Sequence, residues 1–158
     1  MSDGSPTVRR ASGADRPGLV ERNLALATES EARALEPETV ERGVERILAD
    51  PARGTYWVAE ADGAVRGQCL VTEEWSDWTG GRYWWLQSVY VDPEWRGKGV
   101  FRALWDAIAA AATAARDVAP IRLYVERENR SARAVYETLG MRQTDYRVYE
   151  KPVGDDAP

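Results

Sequence analysis

Histidine is absent from the 158-residue chain, and cysteine occurs once, as Cys69. Without imidazole, neither a Ser-His-Asp nor a Cys-His catalytic unit can be built, and a lone thiol excludes an internal disulfide and a cysteine-rich zinc site. No bound metal is expected. No stretch approaches the roughly 20 apolar residues of a membrane helix, and the polar start Met1 to Gly13 lacks the apolar core of an export signal. A cytoplasmic location without membrane association is therefore expected. Positive charge is also short, with 21 Lys and Arg against 26 Asp and Glu. A net charge of -5 argues against binding nucleic acid through its phosphates.

What remains is ample for one core: 44% of residues are hydrophobic and 30% charged. One domain is expected over Thr7 to Lys151, with residues 1–6 and 152–158 as disordered tails rich in Gly, Pro, Ser and Asp. The charges are segregated. Seven acids face three arginines between Thr28 and Asp50, whereas eight basic residues face four acids between Arg96 and Arg133. Such segregation is compatible with two solvated faces, or with one surface meeting an anion and another a cation.

Apolar spacing organises the middle of the chain. Asp15 and Pro17 open a helix whose inner face carries Leu19, Val20, Leu24 and Ala27, and a second runs from Pro37 until Asp50-Pro51 stops it. Thr55 to Glu60 and Val65 to Glu73 flank Asp62-Gly63, a dipeptide suited to a two-residue hairpin. Tyr83 to Val91 is apolar on both alternating faces, as in a strand covered on both sides. A helix follows through Phe101, Leu104, Trp105, Ile108 and Ala112, then a strand about Ile121 to Val125. Ala132, Val135, Tyr136 and Leu139 return to helical spacing, and a final strand is expected near Arg142 to Glu150. The order β-α-α-β-β-β-α-β-α-β is that of a mixed α/β domain with helices on both faces of its sheet.

The turn Asp92-Pro93-Glu94-Trp95-Arg96-Gly97-Lys98-Gly99-Val100-Phe101 joins a buried strand to an amphipathic helix. Glycines at 97 and 99, the positive end of a helix and two cations are what an approaching phosphate requires. The same pattern also fits a plain glycine turn with solvated charges. It is neither a Walker A loop nor a dinucleotide-binding fingerprint.

The stretch Val89 to Gly99 resembles the acetyl-CoA binding motif of GNAT-type N-acetyltransferases, and Asn129 to Met141 is similar to that family's second signature. The resemblance spans nearly the whole chain and implies the GNAT fold, a mixed and mostly antiparallel central sheet with helices on both faces. It implies that Val89, Tyr90 and Val91 pair with the pantetheine arm of acetyl-CoA. By the same resemblance the backbone from Arg96 through Gly97, Lys98, Gly99, Val100 and Phe101 holds the diphosphate, Arg102 and Arg133 are weaker candidates for the 3′-phosphate, and Asn129 bridges to the pantetheine or caps its helix. Phe101 departs from the motif, which usually has Gly or Ala there, so its side chain is expected to turn towards the core.

Tyr136 occupies the family position of the acid that protonates the departing thiolate. A phenol, protonated at neutral pH, suits that task. Many family members place a carboxylate base where this chain has Gln87 and Ser88. Proton removal then passes through water to Glu73 or Glu74, of which alternation lets at most one face the cleft, or the amine arrives partly neutral. The acceptor is read as a small, cationic primary amine. By the resemblance, Gln87 and Ser88 would line its site and Glu29 would belong to the acidic helix pair that borders it, while Trp75 belongs to the cluster Trp75, Trp78, Trp84 and Trp85, whose indole faces favour a cation. Val71 to Trp78 is loosely similar to its counterpart in polyamine acetyltransferases. A homodimer seam is another use for those tryptophans. A CoA-binding sensor without turnover, and acylation of a protein N-terminus or an aminoacyl group, stay open as alternatives.

Overall fold

The computed structural model describes residues 4–154, so the outermost parts of both expected tails, residues 1–3 and 155–158, lie outside it. The chain divides into two compact units, residues 1–124 and 125–158.

The first unit is built on a five-stranded sheet in sequence order: β1 (Thr7–Arg10), β2 (Thr55–Ala61), β3 (Ala64–Ser76), β4 (Gly81–Val91) and β5 (Val118–Leu123). Neighbours are antiparallel except β4 and β5, which run parallel. That pair needs a crossover, supplied by the helix α3 (Val100–Ala115). The β2–β3 hairpin closes at Asp62-Gly63, where φ is 49° and 72°. Positive φ at both positions is the mirror-image turn whose twist suits strands, which is why this dipeptide is found there.

The pleat sorts side chains onto two faces. On one, Cys69, Val71, Trp84 and Leu86 meet Ile108 and Ala112, and Ala59 meets Val100 and Leu104. All four α3 residues lie one turn apart, so a single buried row faces the sheet. On the other face, Tyr56, Val58 and Leu70 pack against Leu19 of α1 (Arg16–Glu31) and Val44 of α2 (Pro37–Ala49). The expected helix-flanked sheet is thus present. Asp15 takes the N-cap position of α1, but its side chain accepts from the Ser12 N–H at 2.7 Å and pairs with Arg9 rather than bonding the helix amides.

In the second unit, α4 (Arg130–Thr138) is the one helix among the described residues. Val135 is exposed there, so the apolar stripe of α4 is narrower than its spacing implies. The strand expected over Arg142–Glu150 does not form. Tyr146, Val148 and Tyr149 alternate only in part and are exposed, and a strand exists only when another backbone completes its hydrogen bonds. The strand expected over Ile121–Val125 lies earlier, at Val118–Leu123.

Candidate active site

The end of β4 leads through a tight turn at Pro93–Trp95 into Gly97 and Gly99, with φ of 74° and 81°. Left-handed backbone at two positions two residues apart is costly for any residue but glycine. A Cβ at either position would meet nothing within 4 Å, so the concave side of the turn is open. Gly99 is the N-cap of α3 and offers no side chain to it, and the first intrahelical bond runs from the Ala103 N–H to the Gly99 carbonyl at 2.9 Å. Helix amides and the positive end of the dipole therefore face this open side, a donor set matched to phosphate oxygens. Val100 is buried and anchors the helix, while Phe101 is half-buried beside it.

The cations of this turn are placed differently. Arg96 donates to Glu29 Oε2 at 2.6 Å and to the Val91 carbonyl at 3.0 Å, and its guanidinium lies 5.4 Å from the Tyr90 ring centre. The Tyr90 hydroxyl donates to the other oxygen of Glu29 at 2.8 Å. Glu29 thus ties α1 to the end of β4. Arg96, then Tyr90, holds the Glu29 carboxyl below its ordinary range. Burial, and then donation to Glu29, pushes the Tyr90 phenol up to about 12. Lys98 lies 5.0 Å from the Trp95 ring centre and Arg102 pairs with Asp106. Nearby, Arg22 of α1 pairs with Asp92 at 2.9 Å and donates to the Val65 carbonyl at 2.6 Å.

One turn upstream, β4 is irregular. Gln68 of β3 is opposite Tyr90 and Leu70 is opposite Gln87, so Ser88 and Val89 share the space across from Cys69. Ser88 has φ of 49°, a left-handed serine inside a strand. The β4–β5 register ends at Leu86 and Leu123, immediately before this bulge. From Val89 to Val91, β4 therefore continues paired with β3 while β5 no longer accompanies it. A buried polar chain braces the bulge: Gln68 donates to Asn23 Oδ1 at 2.7 Å and to the Ser88 carbonyl at 3.2 Å, and Asn23 donates to the Tyr56 hydroxyl at 3.0 Å. Gln68 is fully buried. Sequence reasoning passed over it, although a glutamine within the apolar run Gly67 to Val71 was a visible signal.

The predicted acceptor-side residues separate onto two faces. Glu73 and Trp75 lie on the α3 face of the sheet, where Glu73 takes both of its 2.8 Å bonds from Arg82, itself paired with Asp117. Glu74 and Gln87 lie on the opposite face; Glu74 accepts from the Trp85 indole at 2.7 Å and Gln87 donates to Thr72 Oγ1 at 2.6 Å. Trp75 is exposed and shares no face with Gln87. Also on the Gln87 face, Arg122 of β5 lies 3.8 Å from the Tyr83 ring centre, and Trp85 stacks on Tyr124 with centres 4.6 Å apart. Sequence reasoning did not single out Arg122 for the acceptor.

In the second unit, Asn129 caps α4 by accepting from the Ala132 N–H at 3.1 Å, and Arg133 donates to the Arg127 carbonyl at 3.2 Å. Tyr136 sits half-buried on α4.

Residues 22–141 match the Acetyltransferase (GNAT) family. A possible acetyltransferase of Clostridium difficile 630 has the same fold with a TM-score of 0.88 and 38% identity, covering 94% of this chain and 97% of that one. A predicted acetyltransferase of Clostridium acetobutylicum, solved with acetyl-CoA, shares the fold at 20% identity with a TM-score of 0.75, covering 93% of this chain and 96% of that one. A mycothiol acetyltransferase of Nocardiopsis dassonvillei is 42% identical over 72 residues, 44% of this chain and about a fifth (21%) of that protein's length. With a glycine-lined helix start, a bulged strand parted from its neighbour and a match over most of its length, the chain belongs to the GNAT acetyltransferase family.

Proposed function

We propose that the chain transfers an acetyl group from acetyl-CoA to the primary amine of a small acceptor, by direct attack in a ternary complex. The observation that carries this reading is the open, glycine-flanked start of α3 next to a β4 edge that β5 leaves after Leu86. The amides of Arg96 through Phe101 would hold the diphosphate, and the backbone of Val89, Tyr90 and Val91 would pair with the pantetheine arm as with an added strand. Asn129 and Arg133 are assigned to the cofactor as well. With Arg96 neutralised by Glu29, the attraction for the diphosphate comes from the helix end and Lys98. Bound acetyl-CoA supplies an activated thioester.

In the reaction a nitrogen–carbon bond forms, the carbon–sulfur bond breaks, the amine loses a proton and the thiolate gains one. Tyr136 is assigned the proton donated to sulfur. Of the two candidate carboxylates, Glu73 is held in its ion pair with Arg82, whereas Glu74, which among the described residues accepts only from the neutral Trp85 indole, lies on the face that carries Gln87. Glu74 therefore fits the removal of the amine proton through water better. Cys69 is fully buried, which disfavours an acetylated-thiol intermediate.

The test is acetyl-CoA-dependent thiol release across a panel of primary amines, with the Tyr136→Phe variant alongside. Wild type is expected to turn over. Tyr136→Phe is expected to lose about 100-fold in kcat while binding acetyl-CoA as before in calorimetry. Acetyl-CoA uptake without release for any amine would instead favour a sensor, a reading supported by the missing carboxylate at Gln87 and Ser88.

A further inference from the structure

The carboxylates placed on the acceptor side, Glu29 for a cationic acceptor and Glu73 or Glu74 as base, are engaged internally. Glu29 is shared between Arg96 and Tyr90, Glu73 is held by Arg82, and Glu74 accepts from the Trp85 indole. The opposite holds for Arg122. It makes no ion pair or side-chain hydrogen bond among the described residues. Its guanidinium is instead laid 3.8 Å from the Tyr83 ring centre and 5.8 Å from that of Trp85. Stacking on aromatic faces fixes the group and leaves its five N–H donors around the rim.

The location of this guanidinium gives it a use. Arg122 is opposite Trp85, and the ladder ends one residue later, at Leu86 and Leu123. It therefore stands at the mouth of the parting between β4 and β5. It lies on the face that carries Gln87 and Glu74, and the α3 face is filled there by Trp84, Leu86 and Ile108. Beside it, Trp85 and Tyr124 form a stacked pair at 4.6 Å with Tyr124 exposed.

We infer that the acceptor carries a carboxylate in addition to its amine, that Arg122 pairs with this carboxylate, and that the Trp85–Tyr124 stack supports the carbon skeleton between them. The inference rests on the proposed acetyl transfer and names the substrate class of that site. A guanidinium with its donors already oriented can take a carboxylate in a two-pronged bond, an arrangement an ammonium cannot match.

A matched pair of acceptors tests it: 4-(aminomethyl)benzoate and 4-(aminomethyl)benzamide, which share the amine and differ in the distant anion. Wild type is expected to use the carboxylate at least about 10-fold better in kcat/KM, the factor that one charge-assisted hydrogen bond contributes. Arg122→Gln is expected to raise KM for the carboxylate and erase its preference over the amide, while the KM for acetyl-CoA stays as in wild type. Arg122→Lys restores part of the preference. Equal use of both amines by wild type, or a preference that survives in Arg122→Gln, overturns the inference while acetyl transfer stands. If neither amine is acetylated, the transferase reading is decided by the wider panel of primary amines. Calorimetry of the same pair then decides on Arg122, with tighter binding of the carboxylate supporting it and equal or absent binding overturning it.

Discussion

Glu29 and Cys69 show how far a side chain's surroundings change its chemistry. Taken alone, Glu29 is an exposed acid near the end of a helix; in the structure its two oxygens serve Tyr90 and Arg96. Arg96 first, then Tyr90, lowers its pKa on folding. A carboxyl depressed in this way adds stability above the unfolded glutamate value of about 4.3 and loses it as pH falls through the lower folded value. Glu29→Gln is therefore expected to be less stable than wild type at pH 6, with the gap narrowing from pH 5 downward. Urea midpoints measured across that range check this. Cys69 goes the other way: desolvation in the middle of β3 pushes the thiol up to about 12. An aromatic disulfide reagent at pH 8 is expected to leave the folded protein untouched and to label one thiol per chain in denaturant. Fast labelling of native protein would contradict the burial.

At the scale of elements, the site depends on how closely α3 approaches β3. A Cβ on Gly67 would come within 2.7 Å of Val100 Cγ1 and 3.3 Å of the Tyr90 carbonyl. Gly67 thus lets the first residue of α3 rest on the sheet and sets the height of the helix start. Gly67→Ala is expected to cost about 1–3 kcal/mol by overpacking and to weaken acetyl-CoA binding as the helix start is displaced. Denaturant unfolding and calorimetry measure the two effects. Much at this scale was legible beforehand. Asp62-Gly63 announced its hairpin because few dipeptides accept positive φ twice, and Pro37 and Pro51 bracketed α2 because proline opens a helix but cannot continue one. The β4 bulge was not legible, because two residues facing one is a property of the pairing with β3. The strand expected over Arg142–Glu150 failed for the same reason: alternation describes a strand's faces and says nothing about its partner.

For the whole molecule, a net charge of -5 conceals a local arrangement in which Arg22–Asp92 and Glu29–Arg96 fasten α1 to both ends of the turn after β4. A ligand held at this turn should stabilise the assembly by mass action. CoA at 100 times its dissociation constant is expected to add about 2.7 kcal/mol, read as a rise in thermal midpoint that inorganic phosphate at the same concentration does not reproduce. No shift with any CoA species would remove the cofactor assignment. The sequence alone determined the kinds of element and their order as far as α4, and the glycine turn, because periodicity, proline and glycine act through local sterics. Only tertiary structure decided which charges remained available. Arg96 and Glu29 are 67 positions apart, and their mutual neutralisation required the sheet and α1 to bring them within 2.6 Å. Arg122 was set on Tyr83 by the parallel pairing of β4 and β5, and no reading of either segment separately contains that contact.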